Sequence, residues 1–443
     1  MVSGVVLGLA LLVTAMSYRA SGLRAYQQAV SARQALGRPG TLDDLLATLP
    51  PINQEAQEKW DRWSKACVAA WREPAYDGKA WAAWVGGQGE VPASIATTCA
   101  SREPLMQPAC DLLDGGEVLL SALGWASIDL PPGKRGFEQV SRLRIPNLLA
   151  TRDLAEWLRH TAGLGDEPQP ALRRLDALQR NLSLKPGTLI DTMIAISMTT
   201  IRDRTYVELA LRGTLADHDY ARWRAEPSQA LAWVADGFEG EAAIFVAGIA
   251  TSLSGAASLH LTLSPWTGSN ENIVHRAHIW LTGLHDCAKL TAIDGWIANR
   301  ARGLRGDAPP SWAVLKPQLG PLARISLHNT LESLIPALQA DANQRMARAA
   351  VHLIRTARTT GLPADQAAVG LSDLFTPTGD HLWIRYERLS DARFRLVVDP
   401  ASPIPNFDDP ARMKGRTKNA GTPANTAPLI YENGIELSVT PLP

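Results

Sequence analysis

Three histidines stand close together in the chain: His275, His278 and His285, the last followed by Asp286 and Cys287. Imidazole, carboxylate and thiolate are the side chains that bind zinc. On a helix turning 100° per residue, the three histidines fall within about 80° of one face. His278 and His285 are, however, separated by about 10 Å along a helix axis. A metal ion takes its ligands at about 2 Å, so one straight helix cannot bring all three to it. The spacing predicts a polar face beside Trp280 and no metal site.

Asp217-His218-Asp219 has the residue types of acid–base chemistry. It follows Gly213-Thr214-Leu215, and acidic residues after a glycine are also how helices begin. The second reading is the expectation. No nucleophile elbow is present, because Ser252-Leu253-Ser254-Gly255 does not satisfy G-x-S-x-G. Gly86-Gly87-Gln88-Gly89 lacks the preceding strand and following Lys-Ser/Thr of a phosphate loop, so it reads as a plain loop. No catalytic residue can be named, and no cofactor is implied.

Tryptophan is over-used: 14 against six phenylalanines. Trp60, Trp63, Trp71, Trp81 and Trp84 lie within 25 positions. Exposed tryptophans stack on sugar rings, and Glu55, Glu58 and Asp61 are near in sequence. Glycoside hydrolysis needs two carboxylates about 5–9 Å apart across the bond. Trp60 and Trp63 are also spaced i, i+3, the arrangement of residues that pack into a core or against a partner. Core packing is the expectation, with a glycan platform as the alternative.

The elements that would position these residues are mostly helical. Val2 to Ser17 is uncharged and apolar, and a helix of that length spans roughly 24 Å. A bilayer core is about 30 Å thick. The segment is expected to be a retained membrane anchor, with a signal peptide cut near Ala15-Met16-Ser17 as a second reading. Arg19 to Leu36 continues it as a helix until Gly37-Arg38-Pro39-Gly40. Thr41 and Asn53 are expected to cap two further helices. Tyr76 to Cys110 reads as loop-rich.

Helices are predicted over 146–161, 170–184 and 188–215. In the last, Leu189, Ile190, Met193, Ile194, Ile196 and Ile201 build an apolar face. Asp217 and Ser228 are candidate caps for the next two. Long helices follow over 270–301 and 319–360. His381 to Arg388 alternates, with Leu382, Ile384 and Tyr386 on one face, and Arg393 to Val398 follows as a hairpin partner. Glu432-Asn433-Gly434 signals a second hairpin within 430–439. Arg412, Lys414, Arg416 and Lys418 belong to a solvated loop. The fold class is thus mainly α: a membrane helix, a multi-helix body and a small C-terminal β hairpin unit. The expected division is 1–36 (anchor and continuing helix), 37–142 (loop-rich, Trp-containing), 143–360 (long helices) and 361–443 (β-containing).

Composition bounds the function. The chain of 443 residues carries 44 Lys+Arg and 44 Asp+Glu, so its formal net charge is zero. That argues against a nucleic-acid binder working through a basic surface. With 46% hydrophobic and 20% charged residues it is not a disordered chain. Cys67, Cys99, Cys110 and Cys287 form no CxxC, which removes thioredoxin-like and zinc-ribbon chemistry. Cys99 and Cys110 are close enough in sequence for a local disulfide, with free buried thiols as the other reading.

The order of these features resembles a group of N-terminally anchored envelope proteins of planctomycetes and related bacteria. The likeness runs through the apolar segment, Gly37-Arg38-Pro39-Gly40-Thr41-Leu42-Asp43-Asp44-Leu45, Leu49-Pro50-Pro51 with Asn53, Leu143-Arg144, and Thr188-Leu189-Ile190-Asp191. Ala349 to Pro363 is also similar to the ALxxYRxxHGRYPxxL signature of major pseudopilins of type II secretion. Ile354-Arg355 and Leu362-Pro363 stand where that signature has Tyr-Arg and Arg-Tyr-Pro. The resemblance implies an envelope location and a helical body, and carries over no catalytic residue.

The functional expectation is a non-catalytic scaffold attached to the inner membrane. Its partners would be the lipid bilayer, through the N-terminal segment, and an envelope protein. The soluble part is placed on the periplasmic side, although Arg19, Arg24, Arg33 and Arg38 after the apolar run favour the cytoplasmic side. Two alternatives stand beside it: a glycan-binding or glycan-processing protein using the Trp-rich third, and a pseudopilin-like assembly subunit with its sheet packed on one long helix.

Overall fold

The computed structural model describes residues 2–47, 53–70, 76–87, 90–116, 118, 148–183, 188–254, 273–301, 321–377, 381–399 and 435–439. The chain is mainly helical, with one small antiparallel sheet. Helix α1 runs without a break over Val2–Ala35 and ends where Gly37 takes a positive φ of 71°. Short α2 (Leu42–Ala47) follows. The Thr41 hydroxyl accepts from the Asp44 N–H, and the Asp44 carboxylate accepts from the Thr41 N–H, a reciprocal cap. Asn53 caps α3 (Gln54–Ala70) by accepting from the Ala56 N–H.

Residues 76–110, expected to be loop-rich, carry α4 (Gly78–Val85) and much of α5 (Ala93–Asp114). Pro104 and Pro108 lie inside α5. Each removes one backbone bond. The buried face Ile95, Cys99, Met106, Ala109, Cys110 and Leu113 holds the helix through tertiary packing, which overrides local propensity. Cys99 and Cys110 therefore sit on one helix, about 16 Å apart along its axis. A disulfide needs Cα atoms within about 7 Å. All four cysteines are free and buried.

Helices α6 (Leu148–Leu164), α7 (Gln169–Ser183) and α8 (Leu189–Arg212) follow. Thr188 caps α8 by accepting from the Asp191 N–H, and Gly213 closes it in the left-handed region at φ 78°. The hub of the fold is α8, which packs on α4, α6, α7 and two later helices, Ala230–Glu241 and Pro321–Thr359. Its expected apolar face is reversed in part: Ile190 and Met193 are exposed, while Asp191, Thr192, Thr199, Arg202 and Asp203 are buried. The polar residues recur with the helical period as well, and neighbouring acids and bases make their burial possible.

Next come α9 (Asp217–Ala225) and α10 (Ala230–Glu241), joined through a π turn at Ala242–Val246 to α11 (Ala247–Ser254). Asp217 and Ser228 are not the caps expected of them. The capping positions are Ala216 and Gln229, neither with a side-chain cap bond. Asp217 instead pairs with Arg355, and the Ser228 hydroxyl donates to Gln344.

The two long C-terminal helices are α12 (Ile273–Ala301) and α13 (Pro321–Thr359), followed by single turns α14 (Gln366–Val369) and α15 (Ser372–Phe375). Strands β1 (Ile384–Ser390) and β2 (Arg393–Val398) form the expected hairpin. Strand β3 (Ile435–Ser438) pairs antiparallel with β2, which gives the order β1-β2-β3. The first arm of the hairpin expected at 430–439 lies outside the described residues, as do Arg412 to Lys418.

Three apolar clusters fill the interior. One joins α3 to α8 around Trp63, Trp81 and Trp157. A second sets Ile384, Tyr386, Phe394, Leu396, Ile435 and Leu437 of the sheet against α8, α9 and α13. The sheet thus shares a core with the helices. The third unites α10, α11, α12 and α13, with Leu23 and Tyr26 of α1 packed on it.

The expected membrane helix is present as a helix, but the expectation of a span is not supported. Among the described residues no helix is long and apolar enough to cross a membrane. The uncharged part of α1 ends at Tyr18, and beyond it the helix is built to pack on protein.

Candidate functional site

Helix α1 has two halves of different character. Leu11, Leu12, Val13 and Met16 are more than half exposed. From Arg19 onward the helix lies against α12 in parallel. The Arg19 guanidinium stacks 4.5 Å from the Trp280 ring centroid and donates to the carbonyls of Trp280 and Leu253, the latter near the end of α11. Burial lowers the pKa of Arg19. Tyr18 packs on His285, whose Nε2 lies 3.0 Å from the Tyr18 carbonyl and 3.2 Å from the Ser21 hydroxyl. Gly22 permits this approach, since a Cβ there would stand 2.8 Å from the His285 ring.

Farther along, Arg33 is buried and faces Asp294 of α12 and Glu239 of α10. Glu239 also pairs with Arg38 at 3.4 Å. Burial pushes the Asp294 carboxyl up to about 8, against the pull of Arg33. Burial likewise pushes Glu241 up to about 7, even though the Leu189 N–H bonds to it. Burial lowers the pKa of Arg33 in turn. The seat of α1 thus has polar contacts at Arg19 and His285, the apolar contacts of Leu23 and Tyr26, and ionisable groups gathered at its carboxyl end.

The residues singled out by sequence do not converge. Trp60, Trp63, Trp81 and Trp84 are buried, so they present no face to a sugar ring. Trp63, Trp81 and Trp84 join one core, and Trp81 meets Trp84 and His160 at ring-centroid distances of 4.9 and 4.5 Å. Trp71 lies outside the described residues. Glu55 is tied to Lys59, and Glu58 accepts from Gln54, all on the exposed side of α3. His278 is exposed, whereas Asp286 and Cys287 are buried. Among the described residues no group of three His, Cys, Asp or Glu side chains could hold a metal ion. Asp217-His218-Asp219 opens α9, as expected. Its His218 points to solvent, 3.5 Å from the Asp219 carboxylate. Gly86 and Gly87 close α4, and Ser252 lies on α11.

Sequence reading missed the buried charges. Arg202 of α8 donates to Gln179 at 2.9 Å and Glu226 at 2.7 Å, and lies 3.3 Å from Asp203. Asp203 accepts from the Trp223 indole at 2.9 Å, and Trp223 stacks flat on Tyr206. Asp176 accepts from Arg222 at 2.8 Å. One turn away, Arg159 pairs with Glu208 at 3.0 Å and with Glu156. Each group satisfies another, which is the condition for burying charge. The available signal was the polar stripe of α8 at helical spacing.

A second constellation links α13 to the sheet. Asp341 accepts from Arg345 at 3.0 Å and stands 2.8 Å from His381 Nδ1. Arg345 also donates to the carbonyls of Leu374 and Leu382 at 2.7 and 2.6 Å, which ties the strand entry to the helix. Burial would raise the Asp341 carboxyl, but the His381 bond and the Arg345 charge outweigh it and hold the group down at about 2. A histidine oriented by a buried carboxylate is half of a general-base device. The nearby Ser228 hydroxyl bonds to Gln344 and Asp341 rather than to His381, so the nucleophile–base contact is not made. The arrangement works as a clasp.

Comparison with known proteins adds no relative: no family model, no curated protein and no solved structure matches the chain.

Proposed function

We propose that the protein is a non-catalytic scaffold of the cell envelope, attached to a membrane by the apolar half of α1. The observation that carries this reading is the continuity of α1. One helix exposes Leu11, Leu12, Val13 and Met16 at one end and packs into the helical body at the other. Apolar side chains gathered at the tip of a helix would be covered in the working protein. A bilayer is the cover that suits an uncharged segment followed by Tyr18 and Arg19, with Trp280 of α12 beside them. At roughly 24 Å the segment is short for a full crossing, and one leaflet is within its reach. The resemblance to N-terminally anchored envelope proteins agrees with this reading.

The buried histidine and carboxylate groups are engaged in tying helices together, which favours a scaffold over an enzyme. The pseudopilin-like alternative needs its sheet packed on a long helix, and the sheet does pack on α13. Fractionation of cells expressing the full chain tests the proposal, with cross-linking in the native membrane to find the partner. Retention in the membrane pellet after high salt, and a stoichiometric envelope protein in the cross-linked product, are the expected results. Recovery of the protein in the soluble fraction would overturn the proposal.

A further inference from the structure

Among the described residues, the helices around the apolar half of α1 carry few carboxylates. Helix α1 holds no Asp or Glu in its 34 residues, and its charges are Arg19, Arg24 and Arg33. Helix α11, whose Leu253 carbonyl receives Arg19, holds no charged residue. In α12 the stretch from Ile273 to His285 contains Arg276 and three histidines but no acid, and the first carboxylate, Asp286, is buried. In sequence one carboxylate, Glu271, precedes α12. The whole chain has equal numbers of acids and bases, so this segregation is a property of one end.

The pairing of the two helices places these charges. Arg19 meets Trp280, Gly22 meets His285 and Arg33 faces Asp294, so α1 and α12 run parallel. At 1.5 Å per residue, position 276 is level with about residue 15 of α1. Val2 to Val13 makes about 18 Å of helix, close to the depth of one leaflet. Tyr18 and Trp280 lie at the level where aromatic residues meet lipid headgroups, and exposed Arg24 stands just above.

We infer that this acid-poor end seats on an anionic lipid surface, with α1 in the leaflet and exposed Arg24 near the headgroups. The inference rests on the membrane attachment proposed above and adds the lipid class and the orientation. Charge complementarity selects the occupant, because each arginine near an anionic bilayer strengthens binding by about fivefold and salt screens that gain.

The test is sedimentation of the full-length protein with two vesicle types: pure phosphatidylcholine, and phosphatidylcholine containing phosphatidylglycerol. The wild type is expected to bind the anionic vesicles at least tenfold more tightly, with the difference shrinking at 0.5 M salt. The Arg24→Gln variant should lose about fivefold on anionic vesicles and little on neutral ones. Its circular dichroism melt, compared with wild type, shows whether the fold is kept. The salt dependence of wild-type binding reads the same charge without any substitution. Equal binding to both vesicle types would overturn the inference and leave membrane attachment standing. Binding to neither would overturn both.

Discussion

Asp294 offers a quantitative check on how α1 is held. Its carboxyl is fully buried opposite Arg33, and burial raises it from 3.8 to about 8. In the unfolded chain the group ionises near pH 4, while in the folded protein it keeps its proton to about pH 8. The folded state therefore binds the extra proton between these values. The stability this gives is complete below pH 4 and is lost as pH rises through about 8. The slope is about 1.4 kcal/mol per pH unit, which amounts to roughly 4 kcal/mol between pH 4 and pH 7. Asp294→Asn removes this dependence, because an amide has no proton to lose and nearly the same shape. The variant should match the wild type at pH 4 and exceed it by up to about 4 kcal/mol at pH 7. Urea unfolding at pH 4, 5.5 and 7 measures the difference through the midpoint. A loss of stability at pH 7 in the variant would refute the reasoning. It would mean that Asp294 is ionised and that its pairing with Arg33 outweighs burial.

Other outcomes follow from the same structure. Arg202→Met leaves Asp203 and Glu226 without their guanidinium and should destabilise the protein by about 3–5 kcal/mol in urea unfolding at pH 7. Asp341→Asn should weaken the clasp between α13 and the sheet by roughly 2 kcal/mol above pH 4. The difference should close as pH falls toward 2, because a depressed carboxyl stabilises only while ionised. Burial raises the thiols of Cys67, Cys99 and Cys110 to about 12, 11 and 11, so a thiol reagent at pH 8 should react only as fast as the protein opens. Four thiols should then titrate in denaturant without reductant.

The helical architecture was legible because its signals are local. Thr41, Asn53 and Thr188 cap the helices they precede, and the alternation of Leu382, Ile384 and Tyr386 marks the buried face of β1. Helix α5 was hidden because Pro104 and Pro108 read as breakers, and only the packing of its other face keeps it helical. The facing of α8 was hidden for a related reason. Apolar periodicity assigns Ile190 and Met193 inward, but Arg202 and Glu208 find opposite charges at Glu226 and Arg159, and Asp203 accepts from the Trp223 indole, contacts that no local window contains. The same blindness covers the Asp341–His381 pair, separated by 40 positions in sequence. The change of character in α1 was visible at Tyr18, where the uncharged run ends. That its second half docks on α12 was not, since α12 lies more than 250 residues away.

Membrane attachment through α1 is the central claim. Leu12→Asp/Met16→Asp is its most direct probe, because both side chains are exposed and their replacement leaves the core untouched. The measurement is cosedimentation of the full chain with phosphatidylcholine–phosphatidylglycerol vesicles, beside a circular dichroism melt. Two carboxylates in the inserted segment should weaken association by about 3 kcal/mol, or some hundredfold, with an unchanged melt. Undiminished association with an unchanged melt would contradict the account and place the lipid contact, if there is one, elsewhere on the molecule.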